Sequence, residues 1–130
     1  MASVVADTHV IIWFLEDPTQ LTSAAETAAE TPGEGVVIST ISIVEMQYLI
    51  EKGRISRNVL TQLRIESTKP DPIFNIVPLD WAIADNLDMI PRMIVPDMPD
   101  RIIAATAHTY NMPLITADTA IHGCGIQIIW

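Results

Sequence analysis

The sequence predicts an α/β fold built on a mostly parallel sheet with helices covering both faces, and three features carry that expectation. Short β-branched runs alternate with segments of helical spacing along the whole chain, which implies strands joined by helical crossovers. Hydrophobic residues make up 49% of 130 residues, enough to fill one core. No repeat, linker or low-complexity stretch interrupts the pattern, so residues 1–130 are expected to form a single domain.

Residues 3–6 read as a strand and THVIIWFL (8–15) as a helix, with Asp7 between them in the place of an N-cap. DPTQLTSAAETAAE (17–30) gives a turn and an Ala/Glu-rich helix, which the Pro and two Gly of TPGEG (31–35) end. VVIS (36–39) is a second strand. Residues 42–52 have helical spacing with Gly53 as a stop, and residues 57–68 form another helix ended by KPDP. IFNIV (73–77) is the third strand. LDWAIADNLDMI (79–90) reads as one helix, PRMIVPDMP (91–99) as a loop with three prolines, and DRIIAATAHTY (100–110) as a helix with a small-residue face suited to close packing. PLIT, ADTAIHG and IQIIW then give a strand, a short helix and a last strand.

Composition narrows the class. A net charge of −9 together with abundant Ile, Val, Leu and Ala belongs to a folded acidic protein, not a disordered one. The longest apolar run, residues 10–15, is too short to span a bilayer, and the first seven residues lack the basic opening of a signal peptide. The expectation is a soluble, cytoplasmic protein without membrane attachment. Cys124 is the only cysteine, which rules out an intrachain disulfide and a thiolate metal cluster and fits reducing surroundings.

In open parallel sheets the functional crevice lies at the carboxyl ends of the strands. Asp7 follows the first strand directly and Asp118 stands just past PLIT. Glu45 lies one turn into the helix after VVIS, on a stripe with Ile41, Tyr48 and Leu49 that turns it toward the core side. Asp100 shares a face with Ile103, Ala104 and Ala107. Each position also has a plainer reading. Asp7 suits a helix N-cap, Asp97 and Asp100 are spaced like an acidic capping box with Pro99 in the first turn, and Asp118 can open a short helix. Glu45, in mid-helix, has no such role. Four carboxylates gathered without cations would repel one another and raise each other's pKa, so a shared site implies a bound cation. Oxygen ligands without cysteine or a histidine pair favour Mg²⁺ or Mn²⁺.

VVADTH near the start, ISTISIVEMQYLIEKGRI around Glu45, DMPDRIIAATA, and PLITAD followed by a short helix together resemble the PIN domain, and specifically the VapC-type ribonuclease toxins of prokaryotic toxin–antitoxin systems. The resemblance runs essentially end to end. It implies a PIN-like three-layer sandwich and a Mg²⁺-dependent endoribonuclease, with Mn²⁺ as a substitute, that is restrained by a small antitoxin lying across the acidic site. On that pattern Asp7, Glu45, Asp100 and Asp118 are the catalytic metal ligands, Thr116 is the hydroxyl residue two before the last Asp, and Asp97 is an additional acidic position. Thr8 and Ser42 are placed to hydrogen-bond ligands or water, or equally to start helices. Together with the apolar excess and the aromatic-bearing helices, the resemblance also implies a homodimer.

The low sequence pI of about 4.5 sits badly with an RNA partner. Five of the seven basic residues, Lys52, Arg54, Arg57, Arg64 and Lys69, nevertheless fall in one stretch, and Arg101 adjoins Asp100. Arg54, Arg57 and Arg101 are therefore candidates for RNA phosphates, against the alternatives of a solvated helix surface or, for Arg101, pairing with a carboxylate. Trp13, Phe14, Trp81 and Tyr110 read as core or dimer contacts, and His9, His108 and His122 as core or surface residues without metal-ligand spacing. A different class, a non-catalytic acidic α/β Mg²⁺-binding signalling or scaffold domain, also gathers carboxylates at strand ends. The signalling form needs a lysine near a late strand, and the last lysine here is Lys69.

Overall fold

In a computed structural model, which describes residues 3–30 and 35–130, five strands form one wholly parallel sheet. They are β1 (Val4–Ala6), β2 (Val36–Ser39), β3 (Phe74–Val77), β4 (Leu114–Ile115) and β5 (Ile128–Ile129), arranged β3-β2-β1-β4-β5. The register pairs Val4 with Val36, Val5 with Leu114, Val36 with Phe74 and Leu114 with Ile128. Six helices connect the strands: α1 (Thr8–Glu16), α2 (Ser23–Glu30), α3 (Thr40–Glu51), α4 (Asn58–Ser67), α5 (Trp81–Asp85) and α6 (Met98–Tyr110). Turns of 3₁₀ helix lie at Pro18–Gln20, Asn86–Met89 and Thr119–Cys124.

Alternation along each strand divides the apolar residues between two cores. Val4, Ala6, Val36, Ile38, Phe74 and Ile115 pack with Val10 and Ile11 of α1, Ala25 and Ala29 of α2, Met46 of α3, and Val59 and Leu63 of α4. Val5, Val37 and Leu114 face the other way, against Ile83 of α5 and the buried run from Ile102 to Ala105 of α6. A one-residue slip of β1 would exchange these sets, so burial fixes the register. Alanines 104, 105 and 107 are fully buried and let α6 lie close to the sheet.

The topology determines where a site can form. From β1 the chain steps outward through β2 to β3, then crosses back to place β4 on the other side of β1. The connections leaving β1 and β4 therefore diverge and open a crevice at the carboxyl ends of these two neighbouring strands. Asp7 follows β1 with no intervening loop, and Thr116 follows β4.

Several boundaries differ from the sequence reading. Residues 79–90 do not form one helix, since α5 stops at Asp85 and continues as the 3₁₀ turn. The carbonyls of Leu87 and Ile90 there bond to the Arg101 guanidinium, at 2.8 and 3.0 Å, and the Asn86 side-chain amide donates to Thr109 at 2.8 Å. These tertiary partners compete with helical hydrogen bonding. Helix α6 begins at Met98, before the expected Asp100, because Asp97 caps it and Pro99 fits its first turn. Helix α3 starts directly from β2 with Ser39 as its cap, whose hydroxyl accepts from the Ile41 N–H at 3.2 Å. Its buried positions are Ser42 and Met46, while Tyr48 is 60% exposed and so is not part of a buried stripe with Glu45. Gly53 does end that segment, with φ of 70°, a conformation glycine adopts without strain. The stop expected at TPGEG lies, except for Gly35, outside the described residues. Trp81, at 83% exposure, is not a core residue.

Candidate metal centre

At the carboxyl end of β1 and β4 a cavity of about 530 Å³ is lined by Asp7, Glu45, Asp97, Asp100 and Asp118, with His9, Trp13 and Ala117 completing its wall. Among the described residues, no lysine or arginine lines it.

Asp7 is positioned twice over. As the cap of α1 its Oδ1 accepts from the Val10 N–H at 3.0 Å, and its Oδ2 accepts from the buried Thr116 hydroxyl. The Thr116 oxygen in turn accepts from the Asp118 N–H at 3.0 Å, so one side chain holds the strand ends of β1 and β4 in a common geometry. Asp118 caps the following 3₁₀ turn through the Ala120 N–H at 2.9 Å. Helix α3 packs against both α1 and α6 and brings Glu45 from the third side. The buried Thr8 hydroxyl donates to Glu45 Oε1 at 2.5 Å and lies 3.0 Å from the buried Ser42 hydroxyl. Asp97 caps α6 by accepting from the Asp100 N–H at 3.2 Å. Capping and convergence therefore hold at once for Asp7, Asp97 and Asp118: the cap fixes the carboxylate, and the fold aims it into the cavity.

Carboxylate oxygens of Glu45, Asp97 and Asp100 all lie within 4.8 Å of one another. Such crowding is costly without a cation. Burial raises the Asp7 carboxyl above its ordinary range, against the lowering effect of the hydrogen bonds from Thr116 and Val10. Glu45 is raised by burial, opposed by Thr8 and reinforced by Asp97. Asp100 is pushed up to about 7, by burial first and then by the charges of Asp97, Glu45, Asp118 and Asp7. Among the described residues the ion pair formed is Lys69–Glu66, at the end of α4 and outside this cavity. An all-oxygen donor set carrying excess negative charge suits a hard divalent cation such as Mg²⁺ or Mn²⁺.

The basic candidates are placed differently. Arg54 lines an adjoining groove that shares His9 and Trp13 with the acidic cavity. Arg57 is exposed at the start of α4 and lines neither space. Arg101 neither faces the cavity nor pairs with a carboxylate; its guanidinium is engaged by the Leu87 and Ile90 carbonyls and anchors the 3₁₀ turn to α6. His9 and Trp13 are cavity residues that the sequence reading assigned to packing or surface. Their spacing of four on α1, directly after Asp7, is the signal that places them on one side of the same helix.

The PIN domain family model matches residues 4–123. A ribonuclease, VapC22 of Mycobacterium tuberculosis, is 28% identical over 118 residues, which is 91% of this chain and 88% of the relative. Similar solved structures include VapBC2 of Rickettsia felis bound to a promoter DNA fragment, with a TM-score of 0.73 and 14% identity over 97% of this chain and 96% of that one. DNA-bound VapBC of Salmonella typhimurium gives a TM-score of 0.72 and 18% identity, covering 98% and 97%.

Proposed function

The chain belongs to the PIN domain family, and on that premise we propose that it is a metal-dependent endoribonuclease acting in the cytoplasm as the toxin of a toxin–antitoxin pair. The observation that carries the reading is the five-carboxylate cavity, whose wall holds no lysine or arginine among the described residues. The likeness to a named VapC ribonuclease supports RNA as the substrate class, and the likeness to VapBC structures supports an antitoxin partner.

Asp7, Glu45, Asp100 and Asp118 would hold Mg²⁺ or Mn²⁺, with Asp97 close enough to contribute. When bound, the cation supplies a water acidified toward neutrality and charge neutralisation at the phosphate oxygens. The chain supplies alignment. Thr116 keeps Asp7 and Asp118 in register, and Thr8 holds one oxygen of Glu45 at the cavity wall. Asp100, pushed up to about 7 by burial and by its neighbouring carboxylates, is a group whose ionised form a bound cation would favour. A cationic antitoxin side chain, an arginine above all, matches the same carboxylates and would block the site by bidentate pairing.

The exposed Val44 and Tyr48 on α3, with Leu79 and Trp81 beside the start of α5, leave an apolar surface consistent with a homodimer. The Leu79 N–H donates to the Thr40 hydroxyl at 3.3 Å, which joins the two segments. Light scattering at micromolar concentration tests the dimer, and a monomer there refutes it. For the activity, purified protein should cut RNA with Mg²⁺ or Mn²⁺ and lose that activity in excess EDTA. Asp7→Asn and Glu45→Gln should lower the rate by orders of magnitude while keeping the wild-type far-UV spectrum. Undiminished cleavage in EDTA would refute the metal-dependent reading.

A further inference from the structure

Outside the acidic cavity, a groove of about 290 Å³ is lined by His9, Trp13, Glu16, Asp17, Arg54 and apolar neighbours. It shares His9 and Trp13 with the cavity, so the two spaces adjoin along one side of α1. The rings of His9 and Trp13 lie 5.9 Å apart at 49°, and those of Trp13 and Trp130 lie 5.8 Å apart at 46°. Trp130 stands just past the carboxyl end of β5, on the same end of the sheet as Asp118, and is 38% exposed; it lines neither space itself and borders them through its ring contact with Trp13. The Arg54 side chain is exposed and makes no hydrogen bond or ion pair among the described residues.

We infer that this aromatic strip is a nucleotide subsite: a base of single-stranded RNA next to the scissile phosphate stacks on the Trp13–Trp130 strip, and Arg54 holds the neighbouring phosphate. The inference rests on the ribonuclease reading and adds to it where the substrate lies. Aromatic faces accept any base by stacking, and a free guanidinium is the fitting partner for a phosphate. Glu16 and Asp17 on the same wall would repel phosphate but can accept from base N–H groups, with Asp17 already taken by Thr19 and Gln20. The strand is therefore oriented with its backbone along Arg54 and a base toward Glu16. A chain crossing from the carboxylates to Arg54 needs no basic residue inside the acidic cavity, which reconciles an RNA substrate with a net charge of −9.

The test is binding of fluorescein-labelled hexaadenylate, and of an abasic oligomer of equal length, to the Glu45→Gln protein in Mg²⁺, by anisotropy. Trp130→Leu should weaken hexaadenylate binding about tenfold and the abasic oligomer less than about twofold. Arg54→Gln should weaken both alike, and Arg92→Gln, which removes the same charge away from the groove, should change neither. Thermal melts of each variant confirm folding. If wild type cuts RNA while the Trp130 and Arg54 variants bind hexaadenylate as the parent does, the subsite is overturned and the ribonuclease reading stands. If Trp130→Leu instead loses a synthetic arginine-rich peptide while binding hexaadenylate as the parent does, the aromatic strip serves a protein partner and the RNA subsite is likewise overturned. Wild type that cuts no RNA with either metal overturns the ribonuclease reading and the subsite together.

Discussion

Replacing Asp100 with asparagine should stabilise the metal-free protein while removing its activity. Asp100 lies in the first turn of α6, its backbone N–H held by Asp97, with its carboxyl pushed to about 7 from an ordinary 3.8 by burial and by four carboxylates. The folded state therefore binds the Asp100 proton more tightly than the unfolded chain does. Its contribution to stability is present below about pH 4 and is lost as pH rises toward and through about 7. A rise of that size has a ceiling of about 4 kcal/mol at full ionisation. The cavity is open to solvent, and screening reduces the penalty to roughly 1–2 kcal/mol. Asparagine also forfeits the attraction of a carboxylate to the helix N-terminus, ~0.3–1 kcal/mol. The net gain is about 1 kcal/mol, or roughly 3–5 °C for a chain of this size. Melting curves of wild type and Asp100→Asn in EDTA at pH 8 should show that rise, and at pH 5 the difference should shrink. Mg²⁺ should then stabilise wild type more than the variant, because binding to the native state adds stability by mass action. A variant that melts below wild type in EDTA at pH 8 and responds equally to Mg²⁺ would show Asp100 acting only as a helix-end residue.

Thr116→Val removes the hydroxyl that joins Asp7 to the Asp118 N–H; urea unfolding should report a loss of about 1–3 kcal/mol, and metal affinity should fall with it. A variant as stable as wild type would mean that the link carries no weight. Arg101→Met leaves the Leu87 and Ile90 carbonyls without their donor and should cost about 2–3 kcal/mol. Hydrogen exchange should show loosening concentrated in residues 86–97, and uniform protection would contradict the anchoring role.

The parts of the fold legible in sequence are those set by local chemistry. Asp7 between VVA and THVIIWFL marks a strand passing directly into a capped helix, and Gly53 stops α3 because its φ is positive. What escaped is set by distant partners. Nothing within residues 79–90 announces that Arg101 will take two of their carbonyls and end α5 early. Tyr48 reads as a stripe residue by spacing, yet α3 turns Ser42 and Met46 inward and leaves Tyr48 exposed. Asp7, Asp97, Asp100 and Asp118 are visible as strand-end or capping residues, and Glu45 as a mid-helix carboxylate with neither role. Their sharing of one crevice is expected from the parallel-sheet class, and it follows from the reversal of strand order between β1 and β4, not from any local pattern. His9 and Trp13 were hidden for the same reason, since an amphipathic helix does not reveal which side borders a cavity.

The cation site itself is tested most directly by titrating the EDTA-stripped protein with Mn²⁺ and following free ion by electron paramagnetic resonance. Convergence of Asp7, Glu45, Asp100 and Asp118 predicts saturable binding at one or two ions per chain, weakened at least tenfold in both Asp7→Asn and Asp100→Asn and unaffected by Asp80→Asn, whose carboxylate caps α5 away from the cavity. Absence of saturable binding, or equal binding in all four proteins, would contradict it.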